Sequence, residues 1–527
     1  MFAYSARTAL GLTLLLSLGC PLAAQAGATA KAPPHAAPAP ALQPLAQNYE
    51  VSSTPVAELQ RTRPPLPDLT PYSAAAVAAK IQHSPPAKAV MRRMLGLAQL
   101  HEFTGSDERL RQWVRRQGEM PQVIVIEGGY MTPAELARQL PAKYFEQTAP
   151  GVFLARRPIL VAQGATLHID KQTKELRLSS DHGAFLINDG KLFITDSRLS
   201  AWREQGNHQD WYSKKAQFRP FLNSWGGTET YIVNSVIASL GYTASKSYGV
   251  SISQYSPAMH KRMQRGKPTG WLINSMFDDM WYGFYCYEAD DVVLKDNVFR
   301  NNIVYGIDPH DRSHRLIIAG NTVYGTVQKH GIIISREVND SWIFNNRSYE
   351  NQLSGIVIDR DSRRNLIAHN EIYRNKSDGI TLYESSDNLL WGNKAVSNER
   401  HGIRVRNSLN VGLYENIAMA NGLLGVYGHI KDLSASPRDF ALDPYQMQLS
   451  MEVVGGRLIS NKSGAISVVA PLSLKLYRLQ MLMPNKPSGV GLFGALAKDS
   501  GLILDLLVRQ NKAVLIVPSS KLAQLTH

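Results

Sequence analysis

From Asn274 to Gly425 apolar and polar positions recur with a period longer than any single helix or strand. Glycines stand at 283, 306, 331, 355, 379, 402 and 425, and asparagines at 274, 297, 321, 346, 370, 393 and 416; each ladder steps by 23 to 25 residues. After each glycine the chain alternates, as in Gly331-Ile332-Ile333-Ile334-Ser335, Gly355-Ile356-Val357-Ile358-Asp359 and Gly379-Ile380-Thr381-Leu382-Tyr383. Short β-rich runs fill the rest of each unit: Leu316–Ala319, Thr322–Tyr324, Trp342–Phe344, Leu366–Ala368 and Leu389–Trp391. Leucine-rich repeats share this period, but no helix-length pattern is present, and each unit reads as one coil of a solenoid. The pattern predicts an all-β fold, a right-handed parallel β-helix, in which glycine relieves a turn and asparagine amides stack from coil to coil. Earlier coils are visible around Gly183, Gly226 and Gly249, while residues 431–527 keep strand-like runs (Ile466–Val469, Ala513–Pro518) without register to the ladders.

Alternation sends successive side chains to opposite faces. The first and third residues after each glycine are apolar and point inward, and Cys286 takes such a slot beside Phe284, which predicts a buried structural thiol. The second and fourth point outward: Tyr285 and Tyr287, Asp308 and His310, Ile333 and Ser335, Val357 and Asp359, Thr381 and Tyr383, Arg404 and Arg406. The fifth are Glu288, Asp311, Arg336, Arg360, Glu384 and Asn407. With coils about 4.8 Å apart, His310 and Asp311 meet Ser335 and Arg336 on the next coil, with Tyr287 one coil the other way and Asp359 two coils on. A lone exposed histidine is ordinary, but a His, an Arg, a Tyr and two carboxylates within three coils of one sheet are a candidate site.

Upstream the pattern changes. Arg7, the apolar run Ala9 to Leu18 and Ala24-Gln25-Ala26 read as a secretory leader over residues 1–26; Ser17-Leu18-Gly19-Cys20 offers a competing lipid-attachment site, with Ser17 where an aliphatic residue is usual. The apolar run is too short to span a bilayer, and no run of 18 uncharged apolar residues follows. Residues 27–72, with Pro33, Pro34, Pro38, Pro40, Pro44, Pro64, Pro65, Pro67 and Pro71, read as an extended linker. Residues 73–150 read as a helical cap (the Ala-rich run 74–80, Ala87 to Leu100, and a capping box with proline at Thr132-Pro133-Ala134-Glu135), leading into strands at Ile159–Val161 and Thr166–Ile169. The β-helix and its groove are expected over 151–430, and C-terminal coils with a cap over 431–527.

The 527 residues are 44% hydrophobic and 19% charged, which excludes general disorder. Once a leader is cleaved, Cys286 is the one cysteine left and no intrachain disulfide can form. Fifty-seven basic against 43 acidic residues give a net charge of +14, which points to a polyanionic partner. Export and the carboxylates Asp308, Asp311 and Asp359 argue against nucleic acid and for a uronic-acid polymer. Basic residues in the long insertions 204–220 and 254–270 (Lys214, Lys215, Arg219, His260, Lys261, Arg262, Arg265, Lys267) are placed either to wall a groove or as solvated loops. Tyr285, Tyr287 and Tyr383 offer faces to sugar rings, and Asp359, Arg360, Arg404 and Arg406 continue the expected binding surface. Arg336 beside His310 suits proton abstraction next to a carboxylate: the guanidinium neutralises the C6 group of a uronate and His310, tuned by Asp308 and Asp311, removes H5. Reprotonation on the other face gives an epimerase, and loss of the C4 oxygen gives a lyase. A non-catalytic polymer-binding scaffold would need only the groove.

Tyr305-Gly306-Ile307-Asp308-Pro309-His310-Asp311, set on β-helix repeats, resembles the signature of the mannuronan C5-epimerases. The exported single-module layout and N-terminal extension resemble the periplasmic branch of bacterial alginate biosynthesis, over roughly residues 75–520. The resemblance implies conversion of β-D-mannuronate to α-L-guluronate within polymannuronate, with His310 as base, Arg336 neutralising the carboxylate and Tyr305 or a water as proton donor. It also implies a periplasmic location and contact with other alginate export proteins. The glycine-aspartate nonapeptides of the secreted, calcium-dependent relatives are missing from this sequence, so no calcium, and no other metal or cofactor, is expected.

Overall fold

The computed structural model describes residues 48–519, apart from 84, 105, 106, 119, 215, 216, 245, 487 and 488. The expected leader, Cys20 and residues 27–47 of the expected linker lie outside the described residues. The chain winds as a right-handed parallel β-helix whose three sheets of fifteen strands run its length. One coil places Tyr282–Tyr287 in the first sheet, Val293–Lys295 in the second and Val298–Arg300 in the third, then re-enters the first at Tyr305–His310.

Inward residues stack by identity. Ile307, Ile332, Ile356, Ile380, Ile403 and Val426 are consecutive partners in the first sheet and are buried. Each such side chain contributes about 1.5–3 kcal/mol of burial, so the stack fixes the register: a one-residue slip would turn every isoleucine to solvent. The asparagine ladder begins at Asn297. Each Asn Oδ1 accepts from the backbone N–H and side-chain amide of the preceding coil's asparagine, from Asn321 onto Asn297 through Asn416 onto Asn393. Asn274 is not part of it: it is an exposed left-handed corner (φ 48°), and Ser275 beside it donates its N–H to Asn297. A second, unforeseen ladder runs through Asn351, Asn375, Asn398, Asn421 and Asn461.

The repeated glycines serve close approach rather than a turn. A Cβ on Gly355 would stand 2.2 Å from Ile372 Cγ2 and 2.8 Å from Asn375 Nδ2. The turn out of the first sheet is made instead by the fifth residues, which adopt left-handed backbone: Asp311 (φ 38°), Arg336 (63°), Arg360 (51°) and Glu384 (48°). Their cost is offset by coil-to-coil bonds such as Asp311 N–H to Ser335 O, 3.0 Å.

The N-terminal third departs from expectation in three ways. Residues 48–72 are not a free linker: Tyr49–Thr54 pairs antiparallel with Ala513–Pro518, and Leu59, Leu66, Leu69 and Tyr72 lie against the second sheet, whose outer face is apolar (Val293, Ile317, Leu366, Tyr414) and needs cover. Ala87 to Leu100 is not one helix. Lys88–Arg93 is a strand paired antiparallel with Gln122–Glu127, its Ala89 and Met91 against the core and Val90 against a second apolar cluster; a single 3-10 turn follows at Met94–Gly96, and α-helix starts only at Ala98. Winding begins before residue 151, because Gln122–Glu127 and Gly129–Met131 already pair in parallel with the next coil. The capping box at Thr132 and the helix Pro133–Gln139 form as expected. Past Ile430 the coils resume at Ser450–Val454, beside Val411–Tyr414, and Ala513–Pro518 closes the second sheet antiparallel to Ser473–Tyr477. Among the described residues no helix is long and apolar enough to cross a membrane.

Candidate active site

The register on the first sheet is the one read from the sequence. Tyr285 pairs with Asp308, Tyr287 with His310, His310 with Ser335, Ser335 with Asp359, Asp359 with Tyr383 and Tyr383 with Arg406. Cys286 is buried beside Pro309 in the core. Pro309 has no N–H to give the ladder, and the strand is in register with the next coil at Ile307 and His310, on either side of it. Asp308 sits at this interruption, its Oδ1 buried without a hydrogen-bond partner. Burial pushes its carboxyl up to about 7, against the pull of His310 and Lys329.

His310 Nδ1 is hydrogen-bonded to Asp311 Oδ2, and the imidazole keeps 22% of its surface exposed. Burial opposes its protonation, but the Asp311 carboxylate outweighs burial and raises its pKa above the ordinary histidine value. Asp311 is correspondingly held below the usual carboxylate range: burial alone would raise it, and His310, Arg336 and Arg312 reverse the sign. Arg336 Nη1 lies 3.5 Å from Asp311 Oδ1. The imidazole, the carboxylate and the guanidinium form one chain across two coils.

The guanidinium is not idle, however. Its Nε and Nη2 donate to Asp443 at 2.8 and 2.7 Å, a buried residue from the unregistered stretch after Ile430. Arg360 also reaches Asp443, at 3.6 Å, and pairs with Asp359 at 3.3 Å, while Ser335 Oγ donates to Asp359.

The expected tyrosines divide. Tyr285 is 7% exposed, packed between Tyr248 edge-on and the His310 ring, so it supports the imidazole and offers no open face. Tyr287 carries Lys246 Nζ 4.2 Å over its ring, and its hydroxyl accepts from Arg312 at 3.4 Å. Burial and Glu288 push that phenol up to about 12. Tyr305 faces outward at the far end of the strand that carries His310, with Lys329 Nζ donating to its hydroxyl at 3.2 Å and His330 stacked on it. Further along the groove Arg406 lies 3.8 Å over Tyr383 and is bidentate to Glu384, and Arg404 donates to the Tyr383 hydroxyl and to His429. The insertions supply less cationic wall than their composition promised: Arg219 is fully buried against Asp279, and Arg265 and Lys267 are paired with Asp189 and Asp290. Lys215 lies outside the described residues. Lys329, Lys246 and Asp443 were missed. Lys329 stands two residues before a ladder glycine and was legible there, whereas nothing periodic marks Asp443.

One sheet of this parallel β-helix brings together a histidine–aspartate pair and an arginine. The family described as periplasmic copper-binding protein (NosD) matches residues 269–394 and 360–429, the repeat coils. Over 478 residues the chain is 63% identical to a mannuronan C5-epimerase of Pseudomonas aeruginosa, covering 91% of this chain and 88% of the relative. It is 58% identical to mannuronan C5-epimerase AlgG of Azotobacter vinelandii, covering 96% of each. The crystal structure of the periplasmic alginate epimerase AlgG superposes with a TM-score of 0.79 at 54% identity, covering 80% of this chain and all of that one. The chain belongs to the mannuronan C5-epimerases, and is therefore an isomerase.

Proposed function

We propose that this enzyme inverts C5 of β-D-mannuronate within polymannuronate, in the periplasm, by proton abstraction and return. The observation that carries this reading is the His310–Asp311–Arg336 chain. Asp311 accepts the Nδ1 proton, so the lone pair of Nε2 is left to take H5. As the C5–H bond breaks, its electrons move into the C6 carboxylate. Arg336 stabilises that doubly charged state through Nη1 and the outer hydrogen of Nη2, the edge that Asp443 leaves open. C5 then takes a proton from the opposite face, from Tyr305 or a water, and His310 releases the one it holds. The cations on Tyr287 and Tyr383 suit the regularly spaced carboxylates of the polymer, and contact with other alginate export proteins belongs to the same proposal.

Incubation of polymannuronate in D2O, followed by NMR and ultraviolet absorbance, tests it. The expected product is guluronate bearing deuterium at C5. Unsaturated 4,5-ends would instead show a lyase, and an unchanged polymer would leave only binding.

A further inference from the structure

The connection from the first to the second sheet takes four residues between Arg406 and Val411. One coil later, between His429 and Ser450, it takes twenty. This excursion folds back over the row of left-handed corner residues. Tyr445 closes it on itself, accepting from Leu433 N–H and donating to Asp432, and Arg438 anchors it to Glu384 at 2.8 Å. Its Asp443, 4% exposed in the side chain, reaches Arg336 across 107 residues of sequence.

A guanidinium has two edges that can grip a carboxylate. Asp443 takes the Nε/Nη2 edge, fixing the plane of a side chain that otherwise carries large rotamer entropy. Nη1, on the other edge, lies 3.5 Å from Asp311 Oδ1, the carboxylate that holds the imidazole. Substrate can therefore be held without displacing Asp443. We infer that Asp443 is a positioning residue of the epimerisation: it aims Arg336 at the C6 carboxylate and balances its charge beside His310. This rests on the role given to Arg336 above.

The charge balance gives a readout that a purely structural residue would not move. The groups facing His310 are Asp308 and Asp311 on its own strand and corner, Tyr285 and Tyr287 on the preceding coil, Ser335 and Arg336 on the following one, and Asp359 beyond Ser335. Of these Arg336 is the cation that disfavours imidazolium. Without Asp443 its field is less compensated, the imidazolium is less stable, and the acid limb of the pH–rate profile moves to lower pH.

The test uses the full chain and polymannuronate, with Asp443→Asn, Arg336→Ala and the double variant. Asp443→Asn keeps the shape of the residue and is expected to lower kcat up to about 10²-fold, with KM changed far less and the acid limb shifted to lower pH. In the Arg336→Ala background the same substitution should have no further effect. Parental turnover with an unmoved limb, or an equal fractional loss in both backgrounds, would overturn the inference. So would a loss of turnover whose residual activity keeps the parental limb, because that is the signature of a folding defect. An Arg336→Ala enzyme with parental kcat and KM removes the role of Arg336 itself, a failure separate from one at Asp443 alone.

Discussion

Asp311→Asn is the substitution whose consequences follow most fully from the structure. The wild-type carboxylate accepts the Nδ1 proton of His310 and leaves Nε2 as the basic atom. An amide in its place can present N–H to Nδ1, which puts the imidazole proton on Nε2, where it blocks abstraction. The equivalent change in the Ser-His-Asp triad costs about 10⁴ in kcat through the wrong tautomer, and a loss of roughly 10²–10⁴ is expected here. The pH dependence has a defined sign. Burial lowers the pKa of His310, and it is raised because Asp311, with a smaller pull from Asp308, outweighs that burial. With the charge removed burial weighs more heavily and the pKa of His310 falls. The base must be neutral to act, so wild-type turnover rises as pH climbs through the elevated pKa, and the rise in Asp311→Asn occurs at lower pH. Incorporation of deuterium at C5, followed by NMR across about pH 5 to 8, reads both effects. A variant that is slow but keeps the wild-type acid limb would refute the electrostatic argument, and one that turns over normally would refute the tautomer argument.

Two predictions concern stability. Asp308 is held protonated to about 7 by burial, above the unfolded carboxylate value, so the native state binds the extra proton and wild-type stability falls as pH rises from about 4 to 7. Asp308→Asn should abolish that slope and overtake the wild type by up to about 4 kcal/mol at neutral pH; denaturant midpoints at several pH values check it, and parallel slopes would contradict it. Gly355→Ala should destabilise by about 1–3 kcal/mol despite an ordinary φ, because the new methyl group meets Ile372 of the third sheet and Asn375 just beyond it. A thermal melt unchanged from wild type would show that the coils yield at no cost.

Most of the sheet that carries the candidate site was legible in the sequence because a β-helix turns sequence period directly into spatial adjacency. Counting from each glycine placed His310 beside Ser335 and Asp359 beyond it, and the coordinates keep that pairing. Counting failed where neighbouring positions are chemically alike: Asn274 shares the period, but the ladder slot belongs to Ser275. It failed again where a segment answers to tertiary need. Lys88–Arg93 is forced into a strand to close the end of a sheet, and the proline-bearing arm after Tyr49 is drawn onto an apolar outer face. Outward-pointing also proved different from available. Tyr285, Arg336 and Arg406 all project from the cylinder as alternation requires, yet each is engaged by neighbours that lie far away in sequence or on adjacent coils. The partner that changes the reading of Arg336 comes from an excursion without periodicity, so no count could reach Asp443.

His310 is the group proposed to remove the C5 proton. His310→Ala in the full chain, incubated with polymannuronate in D2O, tests it most directly, because the outward-facing side chain can be deleted without opening the isoleucine core. The expected result is a folded protein that still binds the polymer and incorporates no deuterium at C5. Substantial incorporation by the alanine variant would assign the base to another group.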